Sequence, residues 1–417
     1  MKITKECLNL MSFFLQNNCL LPLKHTKITD KILTKLYNEL TNGFKYIQNL
    51  KLTSGEKFYK LKIEYITNIN QIPKPKTFSQ KAFPLKIIKH IDEFSMGLLS
   101  YNVNLFDRNI KILFVIENGD LEKLIKVYNN YVDYMLVWLY ILNIYSSTKC
   151  VKQLKIFIYH TTLLKILPES NLSILDEHNV NTAFTRTCPI NSEIVVFRKE
   201  EWFKAFIHET FHNFGLDFSD INMMKVNEKI NSIFKVNSNV NLFESYTEFW
   251  ARIINIVFVS FTNMNEKNNI NEFLINTEFF INYERTFSFF QMVKILDFMG
   301  LTYNNLYEKD NLYTKTLYKE NSNVLSYYII TLIMINNYNN FLLWCNTNNT
   351  ELLQFKKTEK NLEKYCKFIE TSYKSKSMIN GVECTTKLLN VTRLGSKRKK
   401  DLNYVINNLR MTLCELG

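Results

Sequence analysis

Phe197-Arg-Lys-Glu-Glu-Trp202-Phe-Lys-Ala-Phe-Ile-His208-Glu209-Thr-Phe-His212-Asn-Phe-Gly215 is the stretch from which the rest of the chain can be read. Its spacing predicts a helix over residues 199–214. Glu200 and Glu201 then fall in the first turn, where the positive end of the helix dipole favours acids. Gly215 follows the last turn and suits a left-handed cap. Trp202, Phe203, Phe206, Ile207, Phe211 and Phe214 wrap most of the circumference, and a helix that is apolar nearly all round is buried. Two histidines and a glutamate inside it therefore need partners.

Working outward, Glu193-Ile-Val-Val-Phe197 predicts a strand, taken as an edge strand beside a cleft. Asn181–Thr185 is its neighbour in a hairpin, with Cys188-Pro189 and Asn191-Ser192 at the bend. Ile110–Ile116 and Leu154–Tyr159 are two earlier strands, separated by a long apolar helix over Leu121–Tyr145. Strand, helix, strand, hairpin, helix is an α+β order. Only 9 glycines and 6 prolines occur in 417 residues, which argues for long helices and against an all-β barrel. The expected layout is a mainly helical region of unknown role over 1–100, then one domain over 101–417. Within it, 101–215 carries a small mixed sheet packed on the buried helix, and 216–417 is mostly helical. Helices are expected over Asn222–Phe234 and Asn241–Phe261, the latter capped by Ser238 or Asn239.

His208 and His212 stand four residues apart on one helix, so both imidazoles share a face one turn apart and can ligate one metal ion. Glu209, beside His208, can reach a water on that metal without being a ligand. Zinc lowers the pKa of such a water, and a carboxylate takes its proton as it attacks a carbonyl. The chain has just six histidines, which makes a chance H-E-x-x-H less probable. His25 and His90 are isolated and read as structural or exposed, not as ligands.

His208-Glu-Thr-Phe-His212-Asn-Phe-Gly215 resembles the active-site helix of zincin metallopeptidases. In the metzincin branch the third ligand falls at the position of Phe218, which cannot bind zinc, and Asp217 is one residue out of register. The gluzincin branch takes its third ligand from a glutamate on a later helix, and Glu244-Ser-Tyr-Thr-Glu248-Phe-Trp-Ala251 resembles that helix. The resemblance implies zinc held by His208, His212 and Glu244, with Glu209 as general base. Glu248, on the same face as Glu244, is the alternative ligand or the group that orients a histidine. It implies a zincin-like fold and a protein or peptide substrate. An oxyanion donor is also required; His178, Tyr246, Tyr327 and Tyr328 are candidates. The run from Phe197 to Phe218 is also similar to zinc metalloproteinases of giant DNA viruses, which would place the protein in host cytoplasm or a virion.

The net charge of +13 fits either a lysine-rich solvated surface or contact with an anionic partner such as nucleic acid. The alternative function is accordingly a zinc-binding structural or nucleic-acid-associated protein without peptidase activity. Lys397-Arg398-Lys399-Lys400 is the one dense basic run and reads as a solvated C-terminal tail or turn, or as a nucleic-acid or localisation patch. None of the eight cysteines forms a C-x-x-C pair, so no cysteine zinc site is signalled; they read as reduced, buried thiols of an intracellular protein. No secretory signal or membrane span is evident. No glycine-rich phosphate loop or serine nucleophile elbow appears.

Overall fold

The computed structural model describes residues 1–55, 58–76, 82–308, 312–396 and 400–417. Its fold is α+β. A mixed sheet comprises β1 (Tyr59–Tyr65), β2 (Gly97–Leu105), β3 (Arg108–Ile116), β4 (Gln153–His160), β5 (Ala183–Thr185) and β6 (Asn191–Val196), in the order β1-β2-β3-β4-β6-β5. β3, β4 and β6 run parallel; β1, β2 and β5 pair antiparallel with their neighbours. The continuous apolar runs Leu113–Ile116 and Phe157–Tyr159 are buried, as expected of parallel strands covered on both faces. The connection from β3 to β4 is the long helix Leu121–Tyr145, at the bounds its apolar pattern predicts.

Residues 1–100 are mainly helical, through Lys5–Gln16, Lys27–Ser54 and Leu85–Phe94, but they also supply β1 and the start of β2, which the sequence reading lacks. In β1, Tyr59, Leu61, Ile63 and Tyr65 alternate with Lys60, Lys62 and Glu64, a period-two signal that marks a strand. The segment from Glu193 is also interior and not an edge. β6 pairs with β4 on one side, and the three-residue β5 folds back on its other side to take the edge.

One face of the sheet packs on the main core, which includes Trp138, Trp202, Phe206 and Phe211. The other face carries a second cluster, in which Ile87 and Ile91 of helix Leu85–Phe94 cover Leu113, Phe157 and Val195. That helix covers only one end of the strands.

The motif helix spans Trp202–Asn213 and is buried along its whole length. It starts later than predicted. Glu201 occupies the N-cap in a left-handed conformation, φ 59°, and Glu200 precedes it, so neither acid lies in the first turn. Both carboxylates are engaged elsewhere. Glu201 pairs with Lys165 Nζ at 2.7 Å and accepts the backbone N–H groups of Met411 and Thr412. Glu200 accepts from Lys165 N–H and the Asn408 side chain. Gly215 takes the left-handed cap, φ 67°.

The second half is mostly helical. Helix Leu242–Thr262 lies against the motif helix, and helix Ile270–Phe298 packs behind it. Asn241 and not Ser238 or Asn239 occupies the N-cap of the former, without a side-chain bond. Helix Met224–Ile233 falls inside the predicted span. Residues 408–416 are interior: Glu201 and Glu284 accept their backbone N–H groups, which lets the segment run through the core. Lys397, Arg398 and Lys399 of the basic run lie outside the described residues.

Cysteine usage also corrects the sequence reading. Cys19–Cys384 and Cys150–Cys188 are disulfide-bonded, with Cα separations of 6.0 and 4.9 Å; Cys7, Cys345, Cys366 and Cys414 are free and buried. Each pair is brought together by tertiary folding, which spacing in the chain does not reveal. Disulfides persist in oxidising surroundings, so the thiol argument for an intracellular location falls away. Among the described residues, no helix is long and apolar enough to cross a membrane.

Candidate active site

The motif helix presents His208 and His212 toward helix Leu242–Thr262, which returns Glu244 to meet them. The three ligand atoms form a near-equilateral triangle. His208 Nε2 lies 3.1 Å from Glu244 Oε2, His212 Nε2 lies 3.3 Å from the same oxygen, and the two Nε2 atoms are 3.2 Å apart. Bonds of about 2.0–2.2 Å at tetrahedral angles put ligand atoms about 3.3–3.6 Å apart, so this triangle closely approaches one face of a zinc tetrahedron. All three residues are buried, and together they could hold a metal ion.

The outward nitrogens decide the tautomer. His208 Nδ1 lies 3.0 Å from Glu248 Oε2, and His212 Nδ1 is hydrogen-bonded to Asp217 Oδ2. An Nδ1–H donating to a carboxylate leaves the Nε2 lone pair facing inward, an arrangement that raises the basicity of a metal-bound imidazole. Two such lone pairs and a carboxylate oxygen then converge on one point. Three acceptors at this separation repel one another unless a cation or protons lie between them. The donor set of two imidazoles and one carboxylate suits zinc and leaves a fourth position open.

Glu248 is fully buried and sits at the centre of a charge network. It accepts from Lys204 Nζ at 3.0 and 3.1 Å and from Arg252 Nε at 2.8 Å, besides its contact with His208. Burial alone would push its carboxyl up, but Lys204 and Arg252 outweigh burial and hold it well below the usual range. Glu244 is likewise held down, with the adjacent histidines overcoming the effect of burial.

Glu209 differs from both. It has no hydrogen-bond or ion-pair partner among the described residues. Burial pushes its carboxyl up to about 7, against the lowering effect of His208 and His212. With His208, Thr182, Ala183, Tyr327 and Lys204 it lines a cavity of about 20 Å³, space for about one water molecule. A carboxyl poised near neutrality beside a water-sized space can take up and release protons at physiological pH.

Of the four proposed oxyanion donors, the fold brings one to the site. Tyr327 lies in a π-helical turn, Leu325–Ile330, and its hydroxyl donates to Glu244 Oε2 at 3.0 Å. Such turns recur at functional sites because they redirect a side chain within a helix. Tyr246 and Tyr328 donate to the carbonyls of Leu353 and Leu409, and His178 does not line the cavity. Asp217 was recognised in the sequence only as a ligand out of register; here it binds the outer nitrogen of His212. The Gly215 turn just after the helix, which brings it back, is the one signal that could have revealed this.

No known protein family matches the sequence, and neither a curated protein nor a solved structure matches it. The resemblance to viral metalloproteinases finds no support in these comparisons, and the case for a metal site rests on the geometry of His208, His212 and Glu244.

Proposed function

We propose that the chain is a zinc-dependent peptidase of the gluzincin kind. The observation that carries this reading is the inward-facing triangle of His208, His212 and Glu244, with a carboxylate fixing the outer nitrogen of each imidazole. Bound there, zinc would supply Lewis acidity, lowering the pKa of water and polarising a carbonyl. Glu209 accepts the proton of the attacking water and returns it to the leaving amine; its burial keeps its proton affinity near neutrality. Glu248 and Asp217 hold the two imidazoles in the tautomer that ligates. Tyr327 steadies Glu244 and is placed to donate toward charge developing on a substrate oxygen.

Glu209→Gln tests the mechanism. It should retain zinc and lose peptide hydrolysis by about 10²–10⁴-fold, the usual weight of a general base. Turnover at the wild-type rate in a zinc-loaded Glu209→Gln protein would eliminate the mechanism. The size of the cavity favours a second reading, in which the metal braces the fold without catalysis, since about 20 Å³ admits water but no peptide. On that reading, chelation would lower thermal stability while the wild type cleaved no member of a random peptide library.

A further inference from the structure

A broad concave surface lies away from this site, on the sheet face that helix Leu85–Phe94 leaves half uncovered. It encloses about 700 Å³ across β1, β2, β3, β4 and β6. Strand register fixes what it displays. Lys60 opposes Asn102, Asn102 opposes Lys111, Lys111 opposes Lys155, and Lys155 opposes Glu193, so these five share one face in a single row. Two residues along β2, β3, β4 and β6 lies a second row, made of amides. Asn104 opposes Asn109, Asn109 opposes Gln153, and Gln153 opposes Asn191. At about 4.8 Å per strand the five-strand row runs about 19 Å and the four-strand amide row about 14 Å, and the two are about 7 Å apart.

The charge in this trough is unbalanced. Like charges directly opposite in a ladder are destabilising, yet Lys111 and Lys155 face one another. Among the described residues, no carboxylate lies within ion-pair distance of Lys60, Lys111 or Lys155. Glu193, the acid of the row, already accepts the backbone N–H of Lys76 at 3.1 Å. Lys155 is half-buried, with its ammonium 4.6 Å from the centre of the Phe157 ring. Burial, then the neighbouring Lys111, lowers its proton affinity, and the opposing pull of Glu193 across the ladder does not restore it. Local rules are usually broken where a ligand supplies the compensation.

We propose that this trough binds single-stranded nucleic acid, with phosphates on the Lys60, Lys111 and Lys155 row and base edges on the amide row. Lysines supply sequence-independent attraction to phosphate, whereas asparagine and glutamine offer the donor–acceptor pairs that bases match. Reading a duplex needs an element that protrudes into a groove; a concave floor instead receives bases splayed from a single strand. The same concavity suits a flat membrane poorly. Stacking contributes little, because the aromatic ring at the trough, Phe58, is buried.

The test measures anisotropy of a labelled single-stranded oligonucleotide of mixed sequence with the full chain, as a function of salt. Wild type should bind at low salt. The double variant Lys111→Gln/Lys155→Gln should bind at least tenfold more weakly, with the slope of log affinity against log salt reduced by about 1.4, at about 0.7 per phosphate contact. Lys31→Gln/Lys45→Gln, on exposed positions of helix Lys27–Ser54, should leave both unchanged. Glu209→Gln should bind as wild type does, which separates this site from the metal centre. The proposal is overturned by absence of binding at low salt, by equal losses in the two lysine pairs, or by stronger binding of a duplex or a poly-glutamate peptide at the same trough.

Discussion

Replacing Glu248 by alanine separates the two glutamates that sit one turn apart on helix Leu242–Thr262. Glu248 is fully buried and neutralises Lys204 and Arg252, themselves 4% and 1% exposed. Removing one partner of a buried ion pair costs about 3–5 kcal/mol because the surviving charge cannot regain its hydration. Lys204 is stranded here while Arg252 keeps Glu284 at 3.7 Å, so the loss lies within that range, still a large share of the roughly 5–15 kcal/mol that holds a typical domain. Glu244→Ala removes an acid whose main partners are His208 and His212. Imidazoles can shed a proton and avoid the penalty; Arg252 cannot. The two variants, unfolded by urea in the presence of a chelator and followed by circular dichroism, should therefore diverge. Glu248→Ala should show a much lower midpoint, and Glu244→Ala one close to wild type. Equal midpoints for Glu248→Ala and wild type would refute the placement of Glu248 at the centre of the charge network.

Other expectations follow from the same contacts. Asp217→Asn leaves His212 without the carboxylate that fixes its tautomer, and zinc affinity by competition with a chromogenic chelator should fall about 10–100-fold. Stability should also depend on acid through Glu201. Burial raises its proton affinity, but Lys165 and Lys204 more than reverse that and hold its pKa at about 2, below the ordinary 4.5. A depressed carboxyl contributes stability that is complete above its unfolded pKa and lost as pH falls through its folded one. Unfolding midpoints should thus drop between about pH 4.5 and 2, and Glu201→Gln should flatten that limb.

Legibility in the sequence follows the range of the physical signal. The buried motif helix, the strands β3 and β4 and the helix between them announce themselves by local periodicity. So does the pairing of His208 with His212, because one helical turn is a local distance. Glu244 was recoverable from its own local pattern, two acids four residues apart among apolar neighbours. Tyr327 was one of four candidates; only the packing of a π-helical turn 83 residues after Glu244 selects it. The starting point of the motif helix was misplaced because Glu200 and Glu201 serve Lys165, Asn408 and the segment 411–412, contacts no local rule contains. The disulfides and the buried C-terminal segment were hidden for the same reason. β1 is legible in principle, since Tyr59, Leu61, Ile63 and Tyr65 alternate with polar residues at period two.

The proposed function requires that His208, His212 and Glu244 hold a zinc ion. The most direct test is metal content of the purified chain, wild type against His212→Ala and Glu244→Ala, each checked for folding by circular dichroism. The account predicts about one zinc per wild-type chain, as a three-ligand site with one open position should hold, and its loss in both variants. Wild-type protein prepared without chelator that folds and carries no zinc, even after incubation with zinc, would contradict it and return His208 and His212 to the role of core residues bound to Glu244.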